Sequence, residues 1–456
     1  MFSSVLIANR GEIALRVARA CQEMGIRTVA VYSTADRDSA VVRIADEAVH
    51  IGPSSVKRSY MSIPAIIEAA RRTGADAIHP GYGFLSEDPD FAEICEANGI
   101  IFIGPPSSMM AQLSDKALTK VLMADAGLPV LPGSARTLEN ARAAKETADQ
   151  LGYPVIIKAV VGGGGRGVRV VWEESDVNRA YLEARATAQT LFGDSRVYVE
   201  RYLRSARHVE IQILADQYGH VVHLGERDCS VQRLHQKLIE ESPAPGLPAD
   251  LITRMSEAAV RGALAVGYVG VGTFEFLVGD RRDFYFMEVN CRLQVEHPVT
   301  ELVTGIDLVR EQILMAAGKP LSMRQPDIAV RGAAIECRVN AEDPARNFVP
   351  TPGVLDEFQP PGGPFVRVDT HGYPGYRIPP DYDSLLAKTV VWAPDREQAL
   401  ARMARALTEF RVSGRGVCTS IDFLRATLDH PLFQAAEHDT SLTETVLSKW
   451  PLSNGE

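Results

Sequence analysis

The feature that most constrains this chain is a glycine run set between two strands. Val155-Ile156-Ile157-Lys158-Ala159-Val160 reads as an apolar strand, Gly162-Gly163-Gly164-Gly165-Arg166-Gly167 follows, and Val168-Arg169-Val170-Val171-Trp172 resumes the strand pattern. The run formally contains GxGxxG, but the dinucleotide fingerprint and the Walker loop both lead from a strand into a helix, and no GK[ST] is present. A strand on each side predicts an antiparallel hairpin instead. Its bare backbone N–H groups can fold over phosphate oxygens as a lid, with Lys158 just upstream supplying positive charge. The plainer alternative is a surface turn, although consecutive glycines carry an entropic cost that turning alone does not require.

The rest of the chain must supply a cleft for such a lid. Its 456 residues predict about three domains. The first hundred alternate strand and helix: Val5 to Ala8, an amphipathic run with Ile13, Val17, Ala20, Cys21 and Met24, then strands at Thr28 to Tyr32, Ala77 to His79 and Ile100 to Gly104. That rhythm predicts a parallel sheet covered on both faces, Rossmann-like in shape. Asn9-Arg10-Gly11-Glu12 stands where a dinucleotide-binding glycine motif would be, so this layer is not expected to bind one. After Pro105-Pro106, Ala111 to Ala126 reads as one helix; from Val155 to about Asn290 hairpin signals predict an α+β unit with antiparallel strands. Ala334-Ile335-Glu336-Cys337-Arg338-Val339 opens a further strand-containing section, closed by a helix bearing Leu400, Met403, Leu407 and Phe410.

Charge and cysteine usage narrow the partners. With 48 basic and 58 acidic residues the net charge is −10, which argues against nucleic acid and anionic membranes as partners. Six scattered cysteines without a CxxC pair suggest neither a disulfide framework nor a thiolate zinc site, and no leader or long apolar span is evident. A cytoplasmic setting is expected.

Three clusters could carry chemistry. Strict alternation in Arg207-His208-Val209-Glu210-Ile211-Gln212-Ile213-Leu214 places His208, Glu210 and Gln212 on one strand face, expected to be solvated or to line a cleft. Glu226 to Lys237 is so polar that an exposed loop is expected. The sharpest signal is Thr273 to Leu277 and Phe284 to Asn290, joined by Gly279-Asp280-Arg281-Arg282-Asp283. Folded about that turn, Glu275 falls opposite Glu288. Two such carboxylates repel unless neutralised, either by a hard dication such as Mg²⁺ with Asn290 adding an amide oxygen, or by Arg281 and Arg282. Just beyond, Arg292 could bind a small planar anion through its guanidinium fork, and Glu296 could act as a base.

These strings together resemble the biotin carboxylases of the ATP-grasp superfamily. The resemblance is carried by Ile7 to Ala14, Ile78 to Glu87, the glycine run, Arg207 to Gln212, Glu226 to Ser230, Arg292 to Thr300 and Glu336-Cys337-Arg338, and covers residues 1 to about 445. It implies a Rossmann-like N-terminal domain (1–113), an ATP-grasp domain (114–330, lid about 131–203) and a C-terminal domain (331–446), an α/β and α+β architecture. The implied activity is carboxylation of biotin on a carrier protein, with bicarbonate activated by ATP as carboxyphosphate.

By the same resemblance, Lys116, Lys158, Gly163, Gly164, Gly165, His208, Gln232 and His235 would hold phosphates and ribose, and Glu200, Arg201 and Leu203 the adenine. Glu275, Glu288 and Asn290 would carry two Mg²⁺ or Mn²⁺ ions; Lys237, Arg292, Gln294 and the Val295 amide would bind bicarbonate. Glu296 would be the base and Arg338 the cation facing the biotin enolate. Arg201, Leu234, Cys291, Val161 and Ala387 depart from the family pattern, and Leu234 removes a positive charge near the phosphates. No residue given a chemical role is lost, so an active enzyme is expected. The sequence has no Ala-Met-Lys-Met biotin-accepting motif, so a separate carrier and a carboxyltransferase are implied partners, most simply in an acetyl-CoA carboxylase; Arg19, Glu23 and Arg367 match dimer-interface positions, implying a homodimer. The rival readings are another ATP-grasp carboxylate–amine ligase and a non-catalytic ATP-binding paralogue.

Overall fold

A computed structural model describes residues 1–134, 137–161, 167–279 and 283–451. The N-terminal strand–helix rhythm builds a five-stranded parallel sheet in the order Glu47–Gly52, Arg27–Ser33, Ser4–Ile7, Ala77–His79, Ile101–Phe102. The edge strand Glu47–Gly52 is half exposed, and its mixed pattern gave no sequence signal. Helix Gly11–Glu23 packs its Ile13, Ala14, Val17 and Cys21 face inward. Asp88 caps helix Pro89–Ala97 by accepting from Phe91 N–H at 3.0 Å, with Pro89 in the first turn where its missing N–H costs nothing.

The single helix expected over 111–126 is two. Helix Ser107–Ser114 ends at Asp115, whose extended backbone lets its carboxylate accept from Leu118 N–H and start helix Lys116–Asp125. Apolar periodicity continues across the break, which is why the pattern reads as one helix; the restart puts Lys116 at the head of the second.

The core of the molecule is an eight-stranded antiparallel sheet ordered Phe284–Asn290, Gly270–Val278, Arg207–Ala215, Val221–Arg233, Gln236–Ser242, Ala333–Asn340, Leu385–Ala393, Val366–Thr370. The sheet runs without interruption past residue 330. Phe274 and Phe276 are fully buried on one face, each contributing roughly 1.5–3 kcal/mol by burial. Helix Arg396–Glu409 buries Leu400, Met403 and Leu407 as its spacing requires, and three short helices follow it.

The flanks of the glycine run form the expected hairpin: Val155–Ala159 pairs antiparallel with Val168–Val171 and, on its other edge, with Val197–Arg201. Helices Ala141–Leu151 and Val177–Phe192 cover this small sheet with a core of their own, including Ala144, Ala148, Ile157, Tyr181 and Val199. Gly162, Gly163, Gly164, Gly165 and Arg166 lie outside the described residues, as do Arg281 and Arg282. Among the described residues no helix is long and apolar enough to cross a membrane.

Candidate active site

A cleft of about 1370 Å³ opens between the small sheet, the central sheet and the N-terminal layer. Sixteen of the residues singled out above line it: Lys116, Lys158, Arg201, Leu203, His208, Gln232, His235 and Lys237 toward the small sheet, and Glu275, Glu288, Asn290, Arg292, Gln294, Val295, Glu296 and Arg338 along the central sheet. Glu200 does not line it. Its side chain is 5% exposed and is taken up by Lys158 (2.8 Å) and Lys120 (2.6 Å). Leu131, Ile156, Leu277 and Met287 supply an apolar slot beside Tyr202 and Leu203; as apolar residues, the last three on strands, they are indistinguishable from core, so sequence alone could not flag them.

The carboxylate pair is built as the hairpin register demands. Glu275 and Glu288 are Cα partners, with a bulge beginning after Glu275. Glu288 Oε2 lies 2.5 Å from Lys116 Nζ; Glu275 lies 2.8 Å from His208 Nε2 and 3.2 Å from Lys237 Nζ. Burial pushes both acids up, but Lys237 and His208 bring Glu275, and Lys116 brings Glu288, down to about 2. Both are therefore ionised at neutral pH and present hard oxygen donors, a donor set that fits a divalent cation of the Mg²⁺ kind. Asn290 gives its Nδ2–H to Glu275 Oε1 at 2.7 Å, and its Oδ1 accepts from Arg292 at 3.3 Å.

Deeper in the cleft Lys237 Nζ meets three carboxylates: Glu296 at 2.5 Å, Glu210 at 2.8 Å and Glu275 at 3.2 Å. Glu296, 1% exposed, accepts from Arg338 Nη2 at 2.8 Å through its second oxygen. Burial alone would raise Glu296; Lys237 and Arg338 outweigh it and hold the carboxyl below its usual range, with Glu210 opposing them. Arg292 donates from Nε to Glu87 at 2.9 Å and from Nη1 to Gln294 Oε1 at 2.7 Å. Gln294 in turn donates to Thr273 Oγ1 at 2.8 Å, which fixes its orientation. The Val295 carbonyl accepts from Lys388 Nζ at 2.9 Å.

The strand face and the polar segment have one explanation. Of the two alternatives for the face of His208, Glu210 and Gln212, the cleft is the one realised: His208 lines it and Glu210 reaches Lys237 there, the three being 6%, 0% and 0% exposed rather than solvated. Likewise 226–237 is no exposed loop, because Val221–Arg233 and Gln236–Ser242 are paired strands of the central sheet, with Arg227, Asp228 and Ser230 at 0–1% exposure. Arg227, the largest fully buried side chain, reaches Glu210 Oε1 at 2.6 Å, Gln212 Oε1 at 2.8 Å and Thr300 Oγ1 at 2.8 Å. Each polar run looked wet in isolation; together they satisfy one another. The exposed part is the turn Leu234-His235 with the adjoining Gln236, Leu234 and His235 being at positive φ (47° and 65°) and Leu234 72% exposed. Glu87, Lys120, Glu210, Arg227 and Lys388 were not assigned from sequence; the alternation that grouped Glu210 with His208 was the one usable signal.

Comparison with known proteins fits this geometry. Residues 1–110 match the biotin carboxylase N-terminal domain, 115–324 the ATP-binding domain of the carbamoyl-phosphate synthase L chain, and 336–445 the biotin carboxylase C-terminal domain. Biotin carboxylase 1 of Bacillus subtilis is 50% identical over 446 residues, covering 98% of this chain and 99% of that protein. The chain belongs to the biotin carboxylase family. Among solved structures, the Campylobacter jejuni biotin carboxylase in complex with β,γ-ATP is similar with a TM-score of 0.95 at 49% identity over 98% of this chain and 99% of that one. The biotin carboxylase domain of Hydrogenobacter thermophilus 2-oxoglutarate carboxylase, with MgADP and bicarbonate, is similar with a TM-score of 0.95 at 44% identity over the same shares. As a family member the chain is a ligase that carboxylates biotin at the expense of ATP, and its parallel N-terminal sheet and antiparallel central sheet are the family fold.

Proposed function

We propose that this cleft carboxylates biotin borne on a separate carrier protein, through carboxyphosphate, with the roles assigned as follows. The observation that carries the reading is Glu296: a buried carboxylate held between Lys237 and Arg338, in a cleft that also gathers Lys116, Lys158, Glu275 and Glu288. Lys116, Lys158, His208, Gln232, His235 and the glycines Gly163 to Gly165 neutralise and cover the phosphates; the apolar slot at Leu131, Ile156 and Met287, edged by Arg201 and Leu203, takes the base. Glu200 acts through its partners, setting Lys158 and Lys120 in place. Glu275 and Glu288, with Asn290 beside the second ion, would hold Mg²⁺, or Mn²⁺ in its stead, and the ions when bound neutralise charge on the transferring phosphoryl group.

Lys237, the Arg292 fork, Gln294 and the Val295 N–H bind bicarbonate. An arriving anion competes with Glu296 for Lys237, and a carboxylate that shares its cation gains proton affinity. Glu296 then takes the bicarbonate proton, the oxyanion attacks the γ-phosphorus, and carboxyphosphate yields CO₂ and phosphate beside the biotin. The released phosphate takes the N1′ proton as the enolate forms, Arg338 faces the ureido oxygen, and N1′ attacks CO₂. Closure of the small sheet keeps water from carboxyphosphate.

Acetyl-CoA carboxylation, the first step of fatty acid synthesis, is the acceptor reaction we assign, with a biotin carboxyl carrier protein and a carboxyltransferase as partners in the cytoplasm. A homodimer is supported by the exposure of Arg19 and Glu23 and by Arg367, which is held by Glu301 at 2.6 Å near them in the fold. The test is ADP release from ATP, Mg²⁺, bicarbonate and biotin, free or carrier-bound. Glu296→Ala and Arg338→Ala should each lower biotin-dependent turnover by about 10² or more; near-normal turnover in either variant removes that residue from the mechanism. The biotinylated protein that co-purifies identifies the acceptor branch.

A further inference from the structure

Behind Arg338, outside the cleft, lies a second pair of glutamates. Glu240 and Glu336 are Cα partners across the strands Gln236–Ser242 and Ala333–Asn340, so their side chains stand together on one face, and both are 0% exposed. Glu240 Oε1 accepts from Arg338 Nε at 2.7 Å; among the described residues Glu240 Oε2 and both oxygens of Glu336 have no hydrogen-bond partner.

The charged groups facing this pair are Arg338 on the same strand, Lys388 from Leu385–Ala393, Lys237 from the Glu240 strand, and Glu296 from the turn into helix His297–Thr304. Lys388 is given to Glu12 at 3.0 Å and to the Val295 carbonyl, and Lys237 to Glu210, Glu275 and Glu296. His297 is hydrogen-bonded to the Gln294 carbonyl, and Glu301 on the same helix is paired with Arg16 and Arg367. Arg338, already shared with Glu296, is thus the cation in contact with the pair. One shared guanidinium cannot support two adjacent buried carboxylates, so the pair holds a proton.

We infer that Glu240 and Glu336 form a proton-holding dyad that takes the proton from Glu296 during turnover and thereby releases Arg338 to the biotin enolate. The inference rests on the reading of Glu296 as the base. The step balances: the bicarbonate O–H breaks as a Glu296 O–H forms; that bond then breaks as a Glu240 O–H forms, restoring ionised Glu296, and the proton leaves to solvent with the products. Glu240 Oε1 and Glu296 Oε2 lie 2.5 and 2.8 Å from the same Arg338 Nη2, which puts them within one bridging water of each other. Neutral Glu240 no longer competes for Arg338. The proton affinities agree in direction: burial, relieved partly by Lys388, pushes Glu336 well above its usual range, and burial, against Arg338, pushes Glu240 up to about 7.

The experiment is an infrared spectrum at neutral pH joined to pH–rate profiles of biotin-dependent ADP release. The wild-type protein should show a protonated-carboxyl C=O band that Glu336→Gln removes. Because Glu240 must be ionised to accept, wild-type turnover should rise through the neutral range; Glu336→Gln puts a neutral amide where a neutral acid stood and should keep that limb in place. Glu240→Gln should lose the limb and at least about tenfold in turnover. A band unchanged by Glu336→Gln, or a Glu240→Gln profile like the wild type, overturns the dyad. Should Glu240→Gln not fold, the Glu336→Gln band and limb decide alone, since glutamine is isosteric with the neutral acid. Wild-type turnover in Glu296→Gln would instead sink the base assignment, a failure the carboxyl band does not share.

Discussion

The central sheet carries two cross-strand glutamate pairs of the same backbone geometry and opposite electrostatic fate. Glu275 and Glu288 are answered by Lys237, His208 and Lys116 and are held down at about 2. Glu240 and Glu336 share one oxygen contact with Arg338 and are pushed up. Strand pairing places carboxylates together; the cations delivered by other elements decide whether they are anions or acids. The first pair is therefore suited to hold cations, the second to hold a proton.

The largest expected effect removes the cation that Glu275, Glu210 and Glu296 share. Lys237→Met leaves carboxylates buried without their partner and should cost about 3–5 kcal/mol of stability, measured by urea unfolding; a loss under about 1 kcal/mol would show that the cluster does not depend on Lys237 as its distances indicate. Next, Glu288→Gln takes one ionised oxygen donor from the first pair and should raise the Mg²⁺ concentration needed for half-maximal turnover by about tenfold, a binding loss of about 1.4 kcal/mol; an unchanged Mg²⁺ titration would contradict the assignment.

The two pairs should also bend stability against pH in opposite senses. For Glu275 and Glu288 the folded pKa is depressed, so their stabilisation is present above about 4.5 and is lost as pH falls toward about 2. For Glu240 the folded pKa is raised, so between about 4.5 and about 7 the unfolded chain has lost a proton that the folded chain keeps, and stability declines as pH rises. Unfolding free energies of wild type and Glu240→Gln across that window should converge at the acid end and part toward neutrality, the variant being flatter. Parallel curves would erase the distinction between the pairs.

The smallest effect concerns the turn that brings Lys237 between them. Leu234 is exposed at φ 47°, where an asparagine or glycine is at ease and a leucine is strained. Leu234→Asn should stabilise by about 0.5–1 kcal/mol with Lys237 undisturbed; destabilisation would mean that Leu234 packs against something in the working enzyme.

The two pairs differ equally in how legible they were. Glu275 and Glu288 flank a short turn between alternating strands, so local pattern fixes their register and their opposition. Glu240 and Glu336 lie about a hundred residues apart, in strings whose pairing depends on the order of the whole sheet, and nothing local announces it. The same limit explains why the face of His208 and Glu210 reads as either solvated or cleft-lining and the 226–237 segment as an exposed loop: the Arg227 that satisfies Glu210 belongs to the neighbouring strand. Periodicity reports which side chains share a face. It does not report what covers that face, nor that Asp115 restarts a helix the apolar pattern carries straight through.

The central claim is that ATP activates bicarbonate in this cleft before the carboxyl group reaches biotin, and oxygen labelling tests it most directly. When bicarbonate oxygen attacks the γ-phosphorus, that oxygen departs with phosphate as carboxyphosphate breaks down. Turnover with ¹⁸O-bicarbonate, ATP, Mg²⁺ and biotin should therefore place one labelled oxygen in each phosphate released, with ADP formation depending on biotin. Unlabelled phosphate, or ADP release indifferent to biotin, would contradict the account.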